Sequence, residues 1–322
     1  VPELACRYHV ENIHPVITAA LEQAGVSLYD IDLIATTQGP GLIGALLVGV
    51  SVAKALAYGL QKPLVPVHHL EGHISSIYLE HHTVSFPFVT LVVSGGHTDL
   101  YYCPQQGYYT ILGRTRDDAA GECFDKVAKM LHLGYPGGPI IDRLAQSGNP
   151  HALRFPRALL TPASLDFSFS GVKTAVRSHL LQATDNQGMP LFADDTFWPV
   201  PAAPWWPQQQ SDLLASFQQA VVDTLVRKTL RAVQQTQARA VAVVGGVACN
   251  SMLRREMLLV GETQALPVYF PSPKFCTDNA AMIACAAYYR YQESPEHYRS
   301  FLNLEACPNL DLSTTEFSEN DQ

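Results

Sequence analysis

The sequence predicts an α/β protein of two lobes, and three observations carry that prediction. Short apolar runs that read as strands alternate with longer stretches of helical periodicity. Two of those runs, at 88–93 and 240–244, each end in Gly-Gly and stand far apart in the chain, as two faces closing on one nucleotide would. With 322 residues, 47% of them hydrophobic and 16% charged, the chain can fill one large or two moderate cores and lacks the composition of a disordered protein.

The first helix is announced by Val10, Ile13, Val16, Ile17, Ala20 and Leu21, and it starts so early that the chain reads as a fragment whose opening strands are absent. Residues 31–37 read as a buried strand, and Gln38-Gly39-Pro40-Gly41 turns it into the apolar helix 42–60. That run approaches membrane-span length, but Lys54 and Ser51 interrupt it and Pro63 follows, so a buried helix is expected and no membrane partner. Strand, glycine turn and helix N-terminus together suit an anion, although any tight strand-to-helix turn needs such glycines.

Residues 63–67 form a short strand leading into His68-His69-Leu70-Glu71-Gly72-His73. His69 and His73 are four residues apart, hence on one helix face and within reach of one metal ion; histidines on surface helices that bind nothing are the alternative. Glu71 lies roughly 200° round the helix from His69, pointing away, which makes this a poor peptidase site. A polar link at 80–87 opens a second unit, beginning with a hairpin across Ser94-Gly95-Gly96.

Next, Asp118 is expected to cap a helix carrying Glu122 and Lys126 as an i,i+4 pair. Asp125 either pairs with Lys129 or, facing a cleft, accepts hydrogen bonds from ribose hydroxyls. Pro136-Gly137-Gly138-Pro139 is a rigid turn at whose end Asp142 opens a helix, and 166–174 is a hydroxyl-rich loop with one lysine. Residues 185–210 hold all three tryptophans and no periodicity, and read as an inserted surface loop before the amphipathic helix 211–235. Towards the end, Thr277 or Asp278 caps a helix of small residues, or Asp278 completes a His–His–Asp metal site. The acidic tail 305–322 is expected to be disordered.

Composition limits the partners. A formal charge of −8 provides no overall footprint for nucleic acid, which must meet a local basic patch or a surface shared with another subunit. Seven scattered cysteines without a CxxC pair suggest reduced thiols in a cytosol-like compartment.

Taken together, Gly39-Pro40-Gly41-Leu42, His68 to His73, Val93 to Thr98, Asp117 to Lys126, Pro136 to Pro139, Phe169 to Thr174, Gly245-Gly246-Val247 with Asn250, and Cys276 to Asn279 resemble the TsaD (Gcp) family in order and spacing, up to about Tyr291. The insertion is similar to those of cyanobacterial or plastid members. The resemblance implies an actin/Hsp70/sugar-kinase (ASKHA) fold, two RNase H-like lobes around a nucleotide cleft. The first lobe would comprise 1–87 with 277–304, lacking its N-terminal strands, and the second 88–276.

It also implies a tRNA N6-adenosine threonylcarbamoyltransferase, which moves the threonylcarbamoyl group from threonylcarbamoyl-AMP to adenosine 37 of tRNAs reading codons that begin with adenine. His69, His73 and Asp278 would bind one divalent metal, iron or else zinc. Val92, Val93, Ser94, Gly95 and Gly96 would line the nucleotide and acyl end. Asp125 and Asp142 would hold the ribose, Gly138 would pack near the nucleoside, and Asn250 would touch the nucleotide, whether threonylcarbamoyl-AMP or ATP. The implied partners are tRNA, a TsaB-like paralogue with a TsaE-like ATPase or else a second copy in a homodimer, and a synthase supplying the donor. The implied location is the cytoplasm, or an organelle for a plastid or mitochondrial type. A non-catalytic scaffold of the same fold and a metallopeptidase are the competing readings.

Overall fold

A computed structural model of the chain describes residues 2–158, 164–183 and 207–312. They separate into two compact units. The first takes the residues up to Thr83, Gln106–Tyr109 and those from Asp278 onward; the second takes Val84–Gln105 and Thr110–Thr277. Gln106–Tyr109, placed in the second lobe from the sequence, thus belongs to the first unit, where Gly107 approaches Glu293.

In the first unit, α1 (Pro2–Ala24) is followed by β1 (Ile34–Gly39), α2 (Ile43–Leu60) and β2 (Leu64–His68). β1 and β2 are parallel, in register from Ile34 opposite Leu64 to Thr37 opposite Val67, with α2 as the crossover that a parallel pair requires. α2 buries Leu46, Val50, Ala53 and Ala57 along one stripe and exposes Ile43, Leu47 and Tyr58, so it is only partly covered where a buried helix was expected. Among the described residues it is the one helix long and apolar enough to cross a membrane by length and composition.

α3 (His69–Ser75) begins where β2 stops and continues as a 3-10 turn, Ser76–Leu79. The tail is ordered as far as it is described. Cys307 N–H donates to Gln38 O at 2.9 Å, His68 Nε2 meets Leu310 O at 3.0 Å, and Leu312 is buried. The expectation of disorder fails for 305–312 because the segment lies along the end of β1 and β2; the rest of the tail lies outside the described residues.

The second unit is built on a five-stranded sheet. β3 (Phe88–Val93), β4 (Thr98–Cys103) and β5 (Thr110–Arg114) form an antiparallel meander, and β6 (Ala240–Val244) and β7 (Val268–Tyr269) extend it in parallel on the other side of β3. The order is β5-β4-β3-β6-β7. β6 and, apart from Thr90, β3 are apolar because both are interior strands buried on both faces.

α4 (Ala120–Met130), α5 (Gly137–Ala145), α6 (Ser170–Gln182), α7 (Pro207–Thr236) and α8 (Ser251–Gln264) surround the sheet, and Phe124, Phe217, Val93 and Leu253 are among the residues of its single large core. The short α9 (Pro273–Cys276) ends the unit, and α10 (Ala280–Glu293) returns to the first.

Three local readings are corrected. Ala119, not Asp118, precedes α4 as its N-cap; Asp118 instead bridges Lys126 and Lys173, each at 2.5 Å, because two ammonium groups bind a carboxylate more strongly than backbone N–H groups do. Asp142 lies inside α5 rather than at its start, and α6 already begins at Ser170, so 170–174 is helix and not loop. α7 starts at Pro207, which shortens the insertion; Trp198, Trp205 and Trp206 lie outside the described residues.

Candidate metal centre and nucleotide pocket

The first site is assembled by α3 and by Asp278, two residues before α10. His68 Nδ1 accepts a hydrogen bond from Leu70 N–H at 3.1 Å and so caps α3, leaving His69 and His73 one turn apart on a single face. Their rings are 4.8 Å apart, edge to face. α10 reaches α3 closely at Gly72, where a Cβ would come within 2.7 Å of Ile283 Cδ1. The approach brings Asp278 to the histidines: Oδ1 is 3.1 Å from His73 Nε2 and 3.6 Å from His69 Nε2.

Asn279, not Thr277 or Asp278, caps α10, its Oδ1 accepting from Met282 N–H at 2.9 Å. The cap therefore falls to Asn279 while Asp278 faces the histidines. His73 is buried, and among the described residues neither ring nitrogen has a hydrogen-bond partner. Its 3.1 Å approach to Asp278 lacks hydrogen-bond geometry and leaves the ring nitrogen unsatisfied. Buried polar atoms in that state call for a ligand. The three ligand atoms lie within 4.8 Å of one another, and two imidazoles with one carboxylate form a donor set suited to a divalent transition metal. The residues fit a metal.

Glu71 does point away from this spot. It is buried against Arg290, Oε1 to Nε at 2.9 Å and Oε2 to Nη2 at 2.7 Å, while Arg290 Nη1 donates to Pro66 O at 3.1 Å. Burial pushes the Glu71 carboxyl above its ordinary range and outweighs the pull of Arg290.

The second site lies wholly in the larger unit, a cavity of about 380 Å³ whose lining includes Gly95, Asp125, Gly138, Asp142 and Asn250. Of the residues expected at a nucleotide, those five are brought together. Val92, Val93, Ser94 and Gly96 are not in the lining; the two valines are fully buried within β3, and Val93 packs into the core. Ser94 Oγ accepts from Gly96 and His97 N–H, which closes the turn on itself. α4 starts against this turn with Gly121, where a Cβ would come within 2.6 Å of Ser94 O.

The polar groups differ in what they have left to offer. Asp125 Oδ1 accepts from Gly137 N–H at 2.7 Å, not from Lys129, and its second oxygen remains for a ligand. Asp142 is engaged at both oxygens, by Ser251 N–H and Oγ and by Gln218. Asn250 caps α8 through Leu253 N–H and donates to Gln218 Oε1 at 2.9 Å. Asp142 and Asn250 thus fasten the cavity wall through Gln218, a buried polar residue that sequence reasoning missed. Tyr135, Arg143, Gln146 and Cys249 were missed as lining too. Pro139, Asp142, Arg143 and Gln146 follow i, i+3, i+4, i+7, so one face of α5 was the available signal.

Fold and site define a class first. The chain resembles the full-length HypF crystal structure in its phosphate- and nucleotide-bound form, with a TM-score of 0.59 and 13% identity over 82% of this chain and 47% of that one. A second HypF structure, from T. kodakarensis, gives 0.56 and 15% over 85% and 41%. The chain spans under half of each HypF chain, and at this identity the likeness establishes the fold alone, that of the actin/Hsp70/sugar-kinase class.

The family follows from closer relatives. The model of TsaD, tRNA N6-adenosine threonylcarbamoyltransferase, matches residues 1–285. The chain is 51% identical over 315 residues to the tRNA N6-adenosine threonylcarbamoyltransferase of Moorella thermoacetica, covering 97% of this chain and 85% of that protein. It is 54% identical over 284 residues to the enzyme of that name from Geotalea uraniireducens, covering 88% and 77%. The chain belongs to the TsaD family.

Proposed function

We propose that the His69, His73 and Asp278 cluster holds a catalytic metal and that the cavity beside α5 holds the nucleotide end of the donor. As a family member the chain is a transferase acting on tRNA: it forms threonylcarbamoyl-adenosine by moving the group from threonylcarbamoyl-AMP to N6 of adenosine 37, in tRNAs that read codons beginning with adenine. The observation that carries the metal reading is the buried His73, whose ring nitrogens have no hydrogen-bond partner among the described residues.

Two imidazoles and one carboxylate favour iron, the facial-triad pattern, with zinc as the competing occupant. A divalent ion bound there supplies a template and Lewis-acid polarisation of a carbonyl. The chain's own residues do the rest. Asp125 offers its second carboxylate oxygen to a ribose hydroxyl, and Gly95 and Gly138, which have no side chain, let the nucleotide lie against backbone. Asp142, Asn250 and Gln218 keep that wall in place. A purine amine is a weak nucleophile, so positioning carries much of the rate.

Glu71 is committed to Arg290 and unsuited to act as a peptidase base, and a bare scaffold would have no use for the triad. A TsaB-like paralogue or a second copy is supported by Leu4, Tyr8, Val10, Leu42, Ile43 and Leu47, all exposed on α1 and at the start of α2, while a TsaE-like ATPase and a donor-supplying synthase complete the proposed set in the cytoplasm. The test is metal analysis alongside transfer. Asp278→Ala and His73→Ala should each lose bound metal and tRNA modification together; transfer by metal-free protein would end the metal's role.

A further inference from the structure

We infer that the C-terminal segment 304–312 is a strap that aims the metal ligands, with His68 as the positioning residue through which it acts; this rests on the metal reading above. The segment lies beyond the residues that the TsaD model matches. It is fastened to the first unit along its length. Lys54 Nζ, on α2, donates to Leu304 O at 3.0 Å, and Gln38 Nε2 donates to Glu305 O at 3.2 Å. Cys307 N–H donates to Gln38 O at 2.9 Å, and Gly41 N–H donates to Pro308 O at 3.2 Å. The glycine turn that suited an anion in the sequence thus gives an N–H to the strap instead. Gly39 has no room for a side chain, because a Cβ there would overlap Cys307 O.

The last link reaches α3. His68 is buried and stands at the N-cap of α3, directly before His69. Its Nδ1 accepts from Leu70 N–H at 3.1 Å, so that nitrogen carries no proton and the ring's one N–H is on Nε2. Nε2 therefore donates to Leu310 O, 3.0 Å away. The His68 backbone N–H donates to the Glu71 carboxylate, which completes a capping box with the third residue of the helix. Ring and backbone are thus both held, and the next peptide is the one that carries His69. Metal sites fix a ligand's orientation by tying its ring to an outer partner. Here the tied ring belongs to the ligand's neighbour and acts through the first turn of the helix. Without Leu310 O the His68 ring is free to turn, the bond to Leu70 N–H loosens, and the fraying turn moves His69 relative to His73.

The experiment measures Zn²⁺ affinity by calorimetry and amide hydrogen exchange by NMR on the full chain. Wild type, His68→Asn, Gly39→Ala and the double variant are compared, each shown to be folded by urea unfolding. Asparagine keeps an oxygen for Leu70 N–H and is a good helix cap, but it is too short for Leu310 O. Alanine at position 39 displaces the strap at Cys307 O. Each single variant should bind Zn²⁺ about tenfold more weakly than wild type. The double variant should be no weaker than either, because both substitutions cut one link. Gly39→Ala should also speed exchange of Leu70 N–H, at the far end of that link. A merely structural role would lower the urea midpoint and leave the zinc affinity of the folded protein alone. Zinc affinity within about twofold of wild type in either folded variant, or losses that add in the double variant, would overturn the strap. Unchanged Leu70 exchange in Gly39→Ala would do the same. If Gly39→Ala does not fold, the zinc affinity of His68→Asn decides alone. Wild type that binds no Zn²⁺ would refute the metal reading instead, while Leu70 exchange still decides the strap.

Discussion

Arg290→Met tests how the metal-bearing helix is held. Glu71 sits on α3 between the two histidines, with 3% of its side chain exposed against 17% for Arg290, so solvent screens the pair little. The substitution removes one charge-assisted hydrogen bond, at 2.9 Å, and an ion-pair contact at 2.7 Å, and leaves a buried carboxylate without its cation. The loss should be roughly 3–5 kcal/mol, as expected when one partner of a buried ion pair is removed. Replacing both partners, as Glu71→Leu with Arg290→Met, removes the stranded charge and should recover most of that loss. Urea unfolding of the two single variants and the double variant gives the coupling energy. Because α3 carries His69 and His73, Arg290→Met should also weaken metal binding, and the double variant should regain part of it. An Arg290→Met protein within about 1 kcal/mol of wild type would refute the account of a buried clamp.

Further outcomes follow from other contacts. Gly121→Ala forces a methyl group to within 2.6 Å of Ser94 O, so the Ser94–Gly95 turn must move; the expected cost is about 1–3 kcal/mol in thermal unfolding, with weaker AMP binding by calorimetry. Asn250→Ala removes the cap of α8 and the partner of Gln218, and should lower stability by about 1 kcal/mol or more in the same unfolding assay. Asp117 is pushed up by partial burial, but hydrogen bonds from Ser168, Ser170 and the Phe169 N–H prevail and hold it below its ordinary 3.8. Its folded value being depressed, Asp117 contributes stability that is present above pH 3.8 and is lost as pH falls through the folded value. The gap in urea midpoint between wild type and Asp117→Asn should therefore be constant near neutrality and shrink in acid.

Most of the scaffold was legible because burial dictates pattern. β6 is an unbroken apolar run, β3 is one but for Thr90, and the two histidines keep helical spacing. What escaped depends on partners that are distant in sequence. Asp118 has the chemistry of a cap and is used as a bridge between lysines, one of them 55 residues on. β5 is short and partly exposed, an edge strand whose alternation is too weak to read. Gln218 is one of several buried polar residues on α7, and Asp142 and Asn250, far away in the chain, give it a reason. The cap of α10 was read as Thr277 or Asp278, and the fold gives it to Asn279.

The measurement closest to the central claim is transfer itself. The protein is supplied with tRNA, threonine, bicarbonate, ATP, the donor synthase and the partner subunits, and the digested tRNA is weighed nucleoside by nucleoside. The account predicts threonylcarbamoyl-adenosine from wild type and none from Asp278→Ala or His73→Ala, each shown to be folded. Full product from either variant, or none from metal-loaded wild type with every component present, would contradict it.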